Sequence, residues 1–385
     1  MAAKYWVGDS GNWSDNTNHW SDSSGGSPGA VAPGASDDCI FDANSFTTTD
    51  TVTVNTTVTI QSMDWSTASL TPTLARSSGE IHVTGNVTFK TGVTVAPLAF
   101  DFSTPSGQTS LLDMNGAIMN GTGQWTISLA DATSILKLAS DYENQGASGV
   151  TISNGTFDTD GYAFTAASLV ATAGETVYLR SSIVTLRALD GGAINIDPAT
   201  NFDAGTSTIR FDIQGSQLTL GQQTYNRIEI LGGTLASPVD FIDQGYTIDY
   251  LYIKPGEQVA FEPSATISNI TTLEAVGTAS SIITITYKTP GTAGTYALCI
   301  TNSIVDYVDV EYMDASCGNP VVNPSGTDSG NNTNIIFANW WLGIPGAHDA
   351  KPQMDKIQDH KPFMRSVLQS KPQLDRIISH KPSLS

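Results

Sequence analysis

IHVTGNVTFKTGVTV, residues 81–95, decides the fold. Apolar residues alternate there with threonine, histidine and lysine at a period of two, the period of a strand with one buried face. Gly85-Asn86 and Thr91-Gly92 break the run into short pieces, as turn residues do. The preceding TVTVNTTVTI (51–60) carries the same signature. So do later segments such as ILKLAS (135–140), TVYLRSSIVTLRAL (176–189), TIRFDI (208–213), YNRIEIL (225–231), TIDYLYI (247–253), SIITITYK (281–288) and SIVDYVDVEYM (303–313). Gly-Gly, Pro-Gly and Asp-Gly pairs punctuate them, and no helical period of ten or more residues intervenes.

Short strands recurring every ~10–20 residues over roughly 290 residues fit a pair of β-sandwiches or one parallel β-helix. The short, Thr- and Asn-edged strands favour stacked coils. The expected fold is all-β, a single right-handed parallel β-helix of about 11–14 rungs, each rising ~4.8 Å. A loop-rich cap at 1–48 precedes the helix at 49–313. A second cap at 314–347 and a repeat tail at 348–385 follow it. Trp6, Trp13 and Trp20 plug the first end or, alternatively, form a sugar-stacking platform; the plug is the adopted reading. Trp340 and Trp341 cover the other end.

Charged residues make up 14% of the chain, against about 25% in ordinary globular proteins. The net charge is −20, and residues 348–385 are basic while the rest is strongly acidic. An acidic body repels nucleic acid and anionic membrane surfaces. MAAKYWVGDSG lacks an apolar leader core, and no apolar run reaches membrane-spanning length, so neither secretion nor membrane insertion is expected. The cysteines Cys39, Cys299 and Cys317 form no CxxC. Cys299 and Cys317 either bridge neighbouring strands or are small buried apolar residues; the second reading is adopted.

YWVGDSGNWSDNTNHWS and PGASDDCIFD near the start, with VDYVDVEYMDAS and GTDSGNNTNIIF near the end, carry a resemblance. They resemble the first and last coils of β-helical structural proteins encoded by tailed phages and environmental viral genomes. The similarity runs from residue 4 to 337 and is strongest at the two ends. It implies a β-helix and a viral particle, exposed on the virion and made in the host cytoplasm. Members of the group are mostly inferred virion or fibre-like proteins without an assigned catalytic site.

The tail lies outside that pattern. Lys-Pro returns at Lys351, Lys361, Lys371 and Lys381. Proline is favoured in a first helical turn, so each unit is expected to form one short helix. The pairs Met354/Ile357, Met364/Val367 and Leu374/Ile377 then give one apolar spot per unit. Weak spots in series suit docking on another virion protein, with the lysines steering to an acidic partner. Self-association in a homo-oligomer and a disordered tail with chance periodicity are the alternatives. His348, His360 and His380 are read as cap or surface residues, with no metal.

Catalytic candidates are few. Asp309 and Glu311 share a strand face, and such neighbours lie ~6.5–7 Å apart, within the span glycoside hydrolysis uses. Asp306 and Asp314 flank them, and Asp240, Asp243 and Asp249 form a second set. No nucleophile elbow, phosphate loop or dinucleotide fingerprint is present, and no cofactor is expected. The function expected is therefore non-enzymatic: a bacteriophage virion protein of fibre, adhesin or decoration type, with host surface glycan as a second partner. A tailspike-type depolymerase using Asp309 and Glu311 is the alternative, and a cellular surface adhesin the third.

Overall fold

The computed structural model describes residues 2–337, except 122, 189–190, 235 and 289–293. Trp340, Trp341 and every tail residue named above lie outside the described residues. Among the described residues there is no helix. The chain winds into a parallel β-solenoid of about 12 turns.

Three walls enclose one core. The first is a ten-stranded sheet from Ala3–Trp6 to Asn201–Asp203. The second begins as five strands ending at Ile118–Met119 and continues as nine, from Tyr142–Glu143 to Met313–Asp314. The third runs through thirteen strands, from Val58–Ile60 to Thr327–Gly330. Coil pairing thus reaches into both segments expected to be caps: Ala3–Trp6 pairs with Asp38–Ile40, and Thr327–Gly330 with Val308–Glu311. Among the described residues every strand pairing is parallel except that of Trp20–Ser21 with Ala3–Trp6. That short antiparallel strand covers an edge that would otherwise expose unpaired backbone.

Parallel register stacks like on like. On the third wall Ile81, Phe100, Trp125, Val150, Leu169 and Ile194 lie one above another and all point inward. At the end of the first-wall strands Phe41 stacks on Trp65 at 3.6 Å between ring centroids, with Phe89 beyond. Such ladders fill the interior. The void among Trp125, Tyr142 and Phe164 is about 10 Å³, no larger than one water needs.

Trp6, Trp13 and Trp20 are fully buried. Trp6 stacks on His19, and Trp20 meets Trp6 and Trp13 edge-on. The Trp6 and Trp20 indoles donate to the carbonyls of Asp9 and Trp13. These rings offer no face to a sugar. Gly11 makes the arrangement feasible, because a Cβ there would lie 1.9 Å from His19 Nε2.

The first wall ends at Asn201–Asp203, and the second-wall strands then lengthen to 7–13 residues. In them Tyr225 and Ile228, Ile248 and Leu251, and Ile270 and Leu273 are all buried. A straight strand alternates sides every residue, so inward residues three apart require a bend. Each long strand therefore turns a corner and closes the side that the first wall no longer covers.

One sequence expectation is corrected. Cys299 and Cys317 are not small buried thiols but a disulfide, Cα–Cα 5.1 Å. In Tyr296–Asp306 the residues Tyr296, Leu298 and Ile300 point inward, so Cys299 faces out. The following loop returns over that outer face, where Asn319 donates to the Ile300 and Thr301 carbonyls, and Cys317 is exposed. Cys39 is buried and free, and burial pushes its thiol well above the usual range. Closing a loop of 18 residues restricts the unfolded chain. Cys317→Ser is expected to cost about 3 kcal/mol. Urea unfolding should show that loss, and reductant should destabilise the parent chain but not the variant.

Candidate functional site

Asp309 and Glu311 sit in Val308–Glu311 of the third wall, where Val308 and Val310 point inward. Both carboxylates therefore share the outer face. Asp309 Oδ1 accepts from Ser329 Oγ at 2.5 Å, one coil onward. Glu311 Oε2 accepts from Thr286 Oγ1 at 3.2 Å, one coil back. The flanking acids serve turns instead. Asp306 Oδ1 accepts from the Tyr307 and Ser325 amides, and Asp314 Oδ1 from the Ser316 amide.

Coil register brings a residue of the second acidic set onto this same face. Asp240 aligns with Ala260, Ala260 with Thr286, and Thr286 bonds Glu311. Lys288 Nζ lies 3.5 Å from Asp240 Oδ2 and 3.4 Å from Glu262 Oε1, tying two carboxylates together. Burial raises the Asp240 carboxyl above its usual value, and the Lys288 charge opposes that shift. Asp240 Oδ1 is buried without a hydrogen-bond partner. Asp243 is elsewhere engaged, accepting from the Leu220 and Gly221 amides at 2.7 and 2.6 Å. Asp249 is exposed and takes only a long bond from Thr271.

Sequence reading missed Glu262 and Lys288, because nothing in the linear order joins them to Asp240. Only a known coil register does. A further cluster on the same wall was missed for the same reason. His82 places Nδ1 3.0 Å from Asp101 Oδ2 and Nε2 3.0 Å from Glu80 Oε1. Burial raises the Asp101 carboxyl, while His82 draws it down.

Chemically, these groups hold coil to coil. Each carboxylate has a hydroxyl, an ammonium, an imidazole or a backbone amide as its partner, which offsets the cost of its partial burial. Among the described residues, a cleft with room for a ligand lies on another wall. Where the second wall is interrupted, Asn115, Ile118, Ser140, Asp141, Glu143 and Gln145 line about 410 Å³ of open space. A single bridge, Met119 to Asn144, spans that interruption. Asp309 and Glu311 take no part in it.

No family model matches the chain, and no curated protein and no solved structure matches it.

Proposed function

We propose that the chain is a non-enzymatic structural protein of a bacteriophage virion, a right-handed solenoid of the surface-exposed fibre, adhesin or decoration type. The observation that carries the reading joins sequence to fold. The two stretches that resemble phage structural proteins form the first and last coils of one continuous core. At ~4.8 Å per coil, about 12 turns make a solid rod some 55 Å long. A filled interior and side chains committed to coil-to-coil bonds suit display and mechanical persistence. The Cys299–Cys317 bond on the outer face suits a particle that leaves the reducing cytoplasm in which it was made.

Residues 348–385 are the anchor in this proposal, docking on another virion protein through Met354, Ile357, Met364, Val367, Leu374 and Ile377. The depolymerase alternative has one specific observation in its favour, the gathering of Asp240, Glu262, Asp309 and Glu311 on one face. Particles purified by density gradient from the lysate that carries this gene should contain the chain at a fixed ratio to the major capsid protein. Mass spectrometry that finds the chain only in the soluble fraction contradicts the proposal.

A further inference from the structure

The second wall carries an outer face unlike the rest of this acidic body. Arg187, Arg210 and Arg227 fall on three successive coils there. Register stacks Arg210, Glu229, Tyr252 and Glu274 in one column. Arg227 and Tyr250 stand beside them in the next.

Hydrogen bonding leaves this face with a surplus of donors. Glu229 Oε2 accepts from Arg210 Nε at 2.7 Å, and Oε1 from Arg227 Nε at 2.7 Å. Both carboxylate oxygens are thus engaged by Nε alone. Among the described residues the terminal nitrogens of Arg210 make no hydrogen bond, and its side chain is 38% exposed. Arg227 is held flat: its guanidinium carbon lies 4.2 Å from the Tyr250 ring centroid and 6.0 Å from that of Tyr252. The Tyr250 hydroxyl donates to Glu274, which fixes that ring. On the adjoining column Arg187 Nε binds Asp212 Oδ2 at 3.1 Å. The half-buried Tyr252 ring stands beside Arg227, two coils on from Arg210 in the same column.

We propose that this face binds a carboxylated pyranose, with the carboxylate on the terminal nitrogens of Arg210 and the sugar ring against Tyr252. The planar guanidinium matches a carboxylate bidentately, and the flat face of an aromatic ring packs against the apolar face of a pyranose. The bonds to Glu229 pre-orient both guanidiniums, so little side-chain freedom is lost on binding. The body's net negative charge disfavours an extended polyanion such as nucleic acid, whereas a single sugar carboxylate meets the local arginines. The site rests on the reading of the chain as a surface-exposed particle protein, since only then does the wall meet a glycan.

The test uses the full chain and titration calorimetry. The probes are methyl galacturonoside, methyl glucuronoside and sialyllactose, each with one carboxylate and each beside its methyl ester. At least one acid is expected to bind, with affinity falling about tenfold or more on esterification. Arg210→Gln and Tyr252→Ala should weaken binding comparably, and Arg210→Lys should recover part of it, with unchanged melting curves confirming that each variant folds. Absence of binding by all three acids, ester binding as tight as acid binding, or indifference to Arg210→Gln overturns the site. A chain found in particles that binds no acid sinks this site alone. A chain that binds acid yet is missing from particles sinks the virion reading alone.

Discussion

Trp65→Ala is expected to lower the unfolding free energy by about 3–5 kcal/mol. Trp65 is fully buried, with Phe41 stacked on one face at 3.6 Å and 9° between planes. Phe46 and Phe89 complete its surroundings at 6.0 and 6.4 Å. Its indole nitrogen has no hydrogen-bond partner, so truncation forfeits packing and leaves a cavity without breaking a polar contact. Backbone pairing on both sides prevents collapse, since Asp38–Ile40 and Val87–Thr88 flank the strand that precedes it. Trp65→Phe keeps the stacked ring and removes an unsatisfied donor, so its cost should be far smaller. In a solenoid each coil contacts mainly its neighbours. Hydrogen exchange should therefore quicken first in residues 38–90 of the alanine variant. Denaturant titration of both variants checks the claim; a loss below about 1 kcal/mol for alanine would show that the aromatic ladder is not what holds these coils.

The fold was legible because strand chemistry is local. Period-two alternation in residues 51–60 and 81–95 needs no partner to be recognised, and turn pairs mark where coils end. What was not legible depends on register. The corner in Thr224–Ile230 hides in sequence as an ordinary apolar spacing, and it emerges only when Tyr225 and Ile228 are both seen to be buried. Cys299 sits among apolar residues, so composition suggested burial; its outward direction follows from the inward set of Tyr296, Leu298 and Ile300. Coil boundaries blurred at both ends for a related reason. Ala3–Trp6 is too short, and Thr327–Gly330 too short and too polar, to read as a strand until a neighbouring coil pairs with it. The candidate sites followed the same rule. Asp309 and Glu311 share a face by adjacency, which sequence supplies. The link from Asp240 to Lys288, and from Arg210 through Glu229 to Arg227, crosses coils.

Deleting residues 348–385 is expected to abolish particle association while leaving the coils folded. The apolar pairs Met354/Ile357, Met364/Val367 and Leu374/Ile377 recur at a fixed ten-residue spacing. One such pair gives little affinity alone, and linking them in series raises avidity by about 10²–10⁴. Removing all of them should therefore act as an all-or-none change. Removing one unit by Met364→Ser with Val367→Ser should give a graded loss. The solenoid itself, residues 1–337, forms a compact unit with its own core, so its melting curve should be retained.

Co-sedimentation of the full chain and of residues 1–347 with particles lacking this protein tests the central claim most directly. The account predicts that the full chain pellets with particles, and that the shortened chain melts as before yet stays in the supernatant. A shortened chain that pellets as well as the full one would contradict it, and would place attachment in the solenoid.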